Sequence, residues 1–293
     1  MSDSTLVSRR LFLAFCGAAA ACVYQGRLAA REGPAAPTLL TAPIELAGDW
    51  HSVPHDAVMR VLTRVREVDL SGVRLLSDRQ PEKLRVENRS EGAPAIWLHS
   101  DQPHMASIIV DVGPADWCKL AYQFGHELGH VLSNSWQFSA KPGPPTQWLE
   151  EALVETFSIR GLKLLADSWE TLPPFAGDAA FAGSIRQYRS ALLDTYTGAG
   201  SEASAWFSAN RARLERGEGV PRGPAIAAIL SVYEGDQRRG RPSCLDDLGA
   251  LNRWPERTSV PIERYIQLWK QSCSELGATG ELPLRLEQRF GLS

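Results

Sequence analysis

Residues 122–134 read "YQFGHELGHVLSN", and the pair His126 and His130 constrains this chain more than any other feature. Side chains four positions apart on an α-helix project from one face. The two imidazoles can therefore reach a single metal ion. Glu127, one position on from His126, is set to the side, where it reaches a water on such an ion rather than the ion itself. The chain has only six histidines, so this arrangement is a specific signal. It requires a helix over about 116–132. It also requires a third ligand from elsewhere, because a catalytic zinc takes three protein ligands and keeps a fourth position open.

A third histidine close behind is ruled out. In a His-Glu-x-x-His-x-x-Gly-x-x-His pattern the last two marked positions would be 133 and 136, and they hold Ser133 and Trp136. The remaining route is a carboxylate from a second helix packed alongside. The stretch "WLEEALVE", 148–155, supplies candidates after the Pro/Gly-rich loop "SNSWQFSAKPGPP", on a long helix starting behind Thr146.

With these two segments the chain resembles the gluzincin metallopeptidases, the group that includes thermolysin and the zinc aminopeptidases. The resemblance covers roughly residues 107–160. It implies a Zn²⁺ cofactor held by His126, His130 and Glu151, with Glu150, which stands where the aminopeptidases have asparagine, as the alternative third ligand. Otherwise Glu150 is expected at the surface or rim, since it points about 100° away from Glu151. Glu155, one turn beyond Glu151, is implied to accept the non-ligating N–H of His126. Glu127 is implied as the general base in hydrolysis of a peptide or protein substrate.

Members of this group also carry a Tyr or His that stabilises the oxyanion. No histidine follows His130, which leaves Tyr188, Tyr196, Tyr233, Tyr265 or an arginine. Tyr233 is placed first, because "VYEG" at 232–235 is faintly similar to the aminopeptidases' Tyr-x-Lys-Gly. No Gly-x-Met-x-Asn run precedes the motif, so an endopeptidase-like specificity is expected rather than amino-terminal trimming. Two rival readings stand beside this one: a non-enzymatic envelope scaffold that keeps the fold and its zinc, and a chance pairing of core histidines.

The surrounding pattern predicts an α+β, zincin-like fold. Val58, Val61, Leu62, Val65 and Val68 recur at helical spacing after Pro54, with Ser52 as N-cap. Short β-rich segments follow at 73–77, 84–88, 95–100 and 107–112, punctuated by Gly, Pro and Asp. The last of them is expected either as the cleft-side strand or as a central one. Beyond 173 the apolar spacing is helical near 178–195, 202–216, 223–234, 243–251 and 261–276. This divides the chain into a small mixed sheet with backing helix and active-site helix (46–135) and a mostly helical lobe carrying the third ligand (136–293).

The N-terminal region is of a different kind. "SRRLFL" at 8–13 precedes an apolar run from Leu11 to Val23, too short to span a bilayer but suited to a signal segment. It resembles the twin-arginine export signal of bacteria. Residues 1–30 are thus expected as a signal, with a weak lipoprotein-like site at Cys22, and 31–45 as a Pro/Ala-rich linker. Export to the periplasm or cell envelope is the expected destination, with membrane contact only through that segment. Of the other cysteines, Cys244 and Cys273 either pair or stay buried as thiols with Cys118. A net charge of −3 argues against a nucleic-acid partner. The basic run 238–241 reads as a solvated turn, and His51, His55, His99 and His104 as structural or solvent-facing residues. Oligomeric state is not legible.

Overall fold

A computed structural model describes residues 38–74, 77–98, 101–137, 143–196, 202–218, 223–238, 244–254 and 260–292. The expected signal segment and Cys22, and the core of the basic run at 239–241, lie outside them. Residues 37–293 form one compact unit.

The sheet has four strands in the order β1-β2-β4-β3. β1 (Ile44–Gly48) pairs parallel with β2 (Lys83–Asn88), and β2 parallel with β4 (Met105–Val110). β3 (Ala95–Trp97) closes the edge antiparallel to β4. Helix α1 (His55–Asp69) makes the β1-to-β2 crossover that parallel strands require. β2 alternates as its sequence demands: Leu84, Val86 and Asn88 are buried, while Lys83, Arg85 and Glu87 are half-exposed. On that outer face Lys83 and Arg85 pair with Glu45 of the neighbouring strand.

Two expectations change here. The linker was predicted to run to 45, yet Leu39 and Ala42 are fully buried and β1 starts at Ile44. A parallel sheet partner overrides the Pro/Ala-rich composition. Val73 is not in a strand; its N–H bonds back to Leu70 O in the turn that ends α1. Of the two placements expected for 107–112, the central one is found: β4 lies between β2 and β3 with residues 106–110 all buried. The edge is the shorter β3.

Helix α2 (Trp117–Leu132) carries the histidine motif, and α3 (Gln147–Thr171) carries "WLEEALVE". Pro54 rather than Ser52 flanks the start of α1. Gln123 of α2 accepts a hydrogen bond from Asp111 N at 2.9 Å, which ties the motif helix to the exit of β4. α3 is buried nearly all round, as a central helix must be. It packs against α1, α2, α4 (Phe181–Tyr196) and α6 (Gly223–Arg238).

Its approach to α2 depends on glycine. A Cβ at Gly129 would meet Val154 at 3.0 Å, and one at Gly125 would meet the Asp69 carboxylate at 2.6 Å. One at Gly161 would meet Asp69 Oδ1 at 1.9 Å. The absence of side chains here lets the end of α1, α2 and α3 converge.

α5 (Ala203–Glu215), a 3-10 helix (Cys244–Ala250), α7 (Ile262–Leu276) and α8 (Glu281–Phe290) complete the mostly helical C-terminal half. α8 was not anticipated. The buried Asp247 carboxylate accepts from Gly280 N at 3.0 Å and Leu282 N at 2.9 Å, so it caps α8 from another element. No disulfide joins Cys244 to Cys273, so of the two alternatives for this pair the pairing is not realised. Among the described residues no helix is long and apolar enough to cross a membrane.

Candidate metal centre

One turn of α2 separates His126 from His130, and their rings lie 5.1 Å apart between centroids. Glu151 comes from the first turns of α3 and faces both. His126 Nε2 is 3.5 Å from Glu151 Oε2, and His130 Nε2 is 3.7 Å from Glu151 Oε1. Donor atoms of all three residues lie within 4.8 Å of one another. Tetrahedral ligands about 2.1 Å from a zinc ion stand about 3.4 Å apart, so only small shifts separate this arrangement from a coordinating one. The three residues could hold a metal ion, and Glu151 rather than Glu150 is the carboxylate aimed between the imidazoles.

The other ring nitrogens are also engaged. His126 Nδ1 donates to Glu155 Oε2 at 3.0 Å, and His130 Nδ1 donates to Glu150 Oε1 at 2.8 Å. An ionised carboxylate can only accept, so Nδ1 of each ring carries a proton, and Nε2 is the nitrogen left facing Glu151 and available to a metal. Such partners fix the tautomer and ring orientation of metal-binding histidines. The predicted contact of Glu155 with His126 is therefore present. The predicted rim position of Glu150 is corrected: Glu150 is 2% exposed and faces His130. The 100° turn between neighbours carries it behind His130, into the protein and not towards solvent.

Each supporting carboxylate is itself held. Glu155 accepts hydrogen bonds from Tyr122 OH at 2.8 Å and Tyr196 OH at 2.7 Å. Glu150 accepts from Ser135 Oγ and, at 3.0 Å, from Asn252 Nδ2. Tyr122 precedes His126 by four residues, so helical spacing alone could have found it. Asn252 lies more than a hundred residues downstream, and no local signal pointed to it.

Burial disfavours charge on both imidazoles, yet the carboxylates outweigh it. Glu151 and Glu155 push His126 up to about 10, and Glu150 raises His130. The centre therefore favours positive charge, as a cation site must. Glu127 is 3% exposed, and its pKa is raised, first by burial and then by Glu151, against the lowering effect of His130 and His126.

Glu127, both histidines and Glu151 line one cleft of about 190 Å³. Ser135 lines it too, and its other wall is Pro94, Ala95, Ile96 and Leu98. Thus β3, the edge strand, borders the centre.

Tyr233, the foremost oxyanion candidate, is elsewhere. It is 3% exposed and neighbours Arg160 and Cys244. Arg160 is nine residues beyond Glu151, about 13 Å further along α3. Apolar packing of α6 against α3 turns this ring inward. Of the other tyrosines, Tyr196 bonds Glu155, Tyr265 bonds Asn252, and Tyr188 packs on Tyr122. None of the four lines the cleft. His104 is exposed beside Glu82, His51 contacts Val112 O, and His99 lies outside the described residues. Among the described residues the His126, His130 and Glu151 group is the one metal-competent cluster.

No family model, curated protein or solved structure matches this chain.

Proposed function

We propose that this protein is a zinc-dependent metallopeptidase with a zincin-like fold of the gluzincin kind. One observation carries the reading. The Nε2 atoms of His126 and His130 converge on Glu151, both Nδ1 atoms are tied to carboxylates, and Glu127 lines the same cleft. A chance pair of core histidines has no need of this complete set.

Zinc held by these three residues would supply Lewis acidity, polarising a carbonyl and making water a stronger acid. Glu127 is the proton acceptor of the site. As the general base it takes a proton from water and returns it to the leaving amine. β3 offers an extended edge on which a peptide can lie as an added strand, and Pro94, Ile96 and Leu98 give that wall an apolar character. Export to the cell envelope through residues 1–30 belongs to the same proposal, supported by Arg9 and Arg10 before the apolar run.

Glu127→Gln tests it. The variant is expected to bind one zinc per chain like the wild type and to lose at least about a hundredfold in peptide hydrolysis. Hydrolysis by Glu127→Gln at the native rate overturns the assignment of the base. A wild-type chain that holds zinc but cleaves nothing in a broad peptide library is instead a zinc-bearing scaffold.

A further inference from the structure

We infer that Asn252, oriented by Tyr265, is a positioning residue for the metal centre, acting through Glu150 on His130. The inference rests on the zinc reading above and assigns a role in it to the C-terminal half of the chain.

Asn252 follows the 3-10 helix and is 1% exposed. Its backbone φ is +57°, a left-handed conformation that asparagine tolerates better than most side chains. From there its Nδ2 reaches three acceptors: Glu150 Oε2 at 3.0 Å, Ser133 O at 3.1 Å and Ser135 Oγ at 3.2 Å. An amide NH₂ has two hydrogens, which these acceptors share. The opposite end of the amide is also specified, because Tyr265 OH donates to Oδ1 at 2.6 Å. A hydroxyl donor on one side and three acceptors on the other leave the amide one sensible orientation. Tyr265 thus keeps the NH₂ aimed at Glu150.

A second asparagine makes the reciprocal connection. Asn134, just past α2 and also left-handed with φ +64°, donates through Nδ2 to Gly249 O at 2.9 Å and Leu251 O at 2.7 Å. Segment 249–252 is therefore fastened to the end of the motif helix in both directions. Asn134 holds the segment in place, and Asn252 passes that placement on to the carboxylate behind His130. Glu150 takes one hydrogen bond from His130 on Oε1 and one from Asn252 on Oε2, so its plane is set by both. Without Asn252 the carboxylate keeps Ser135 and His130 but loses the contact that fixes Oε2.

The test uses the full-length protein and inorganic zinc, with affinity read by competition against a chromophoric chelator. Asn252→Gly suits the left-handed backbone and removes only the amide, and Tyr265→Phe removes only the hydroxyl. Asn252→Gly is expected to weaken zinc binding by about tenfold or more, within the 10- to 100-fold range for outer partners of metal ligands. Tyr265→Phe should shift it in the same direction by less. Changes at neighbours that act through one another are not additive. In a Glu150→Ala background, Asn252→Gly should therefore cause no further loss, whereas a merely structural contribution would add in full. The visible spectrum of the cobalt-substituted protein gives a second readout, expected to change in Asn252→Gly. A wild type that binds no zinc overturns the metal reading and this inference together. A wild type that binds zinc, with both single variants binding it equally tightly or with losses additive to Glu150→Ala, overturns this inference alone.

Discussion

His126 and His130 stand one turn apart on the same helix and present the same nitrogen to Glu151, but they are supported in different ways. Behind His126, Glu155 is held by Tyr122 from the motif helix itself and Tyr196 from α4. Behind His130, Glu150 is held by Ser135 from the turn after α2 and by Asn252. The first flank is built from two long, adjoining helices and one local i,i+4 spacing. The second depends on a distant segment docking correctly. The comparison teaches that a two-histidine motif can be half self-supporting and half dependent on the rest of the fold.

Removing what the two flanks share should have the largest effect. Glu151→Ala takes away the one carboxylate that faces both imidazoles. Zinc affinity is expected to fall by more than the roughly 100-fold that marks the upper range for outer partners, as measured by metal content after dialysis against a chelator. Glu150→Ala, with its buried surroundings left intact, should retain more zinc than Glu151→Ala. The reverse order would reassign the third ligand.

Next comes the contrast between the flanks. Glu150→Ala and Glu155→Ala are each expected to weaken zinc binding by about 10- to 100-fold. They should differ in stability. Loss of Glu150 removes one acceptor from the buried Asn252 amide and one from the buried Ser135 hydroxyl, and a hydrogen bond to a charged group is worth about 1.5–3 kcal/mol. Loss of Glu155 releases two tyrosine hydroxyls from partly buried pairs, where water can replace the partner. Thermal midpoints should therefore fall further for Glu150→Ala. Equal midpoints would mean that the second flank does not depend on the C-terminal segment as described.

Smaller effects belong to the tyrosines. Tyr122→Phe and Tyr196→Phe each remove one donor to the same Glu155 oxygen. Each should cost about 1 kcal/mol of stability or less, and under tenfold in zinc affinity. The double variant should exceed the sum of the two, because the first loss leaves the second donor in place.

The far side of the motif helix supplies the control. Asp69 is fully buried against Gly125 and Gly161, and burial raises its pKa well above the usual value despite Arg160 nearby. A carboxyl whose folded pKa exceeds its unfolded value of about 3.9 binds more protons when folded. Its contribution favours folding most below that unfolded value and declines as pH rises towards the folded pKa. Asp69→Asn removes this dependence. The stability of the variant relative to wild type should improve steadily from pH 4 to pH 7 in denaturant titrations, with zinc affinity at pH 7 unchanged. A constant difference across that range would show that Asp69 does not titrate there.

The contrast between the flanks is also the contrast between what could and could not be read in advance. The motif helix, the long helix behind Thr146 and the strands near 84–88 and 95–100 announced themselves through periodicity and punctuation. β1 did not, because "IELAG" becomes a strand only by pairing with β2. α8 did not either, since its N-terminus is capped by Asp247 from elsewhere. Glu150 was misplaced although its angle on the helix was right. Angle says which way a side chain points, and only the packing of α2 on α3 says whether solvent or a histidine is there.

By itself, the sequence determined the local geometry of this protein: two imidazoles on one helical face, a carboxylate beside them, and Glu151 and Glu155 one turn apart on a returning helix. Those relations follow from the 3.6-residue repeat and need no knowledge of the rest of the chain. Tertiary structure decided which strand borders the cleft, that Tyr233 is remote from it, and that Asn252 stands behind Glu150. Such contacts join segments as far apart as 119 residues, and they exist only because burial of a common core brings those segments together.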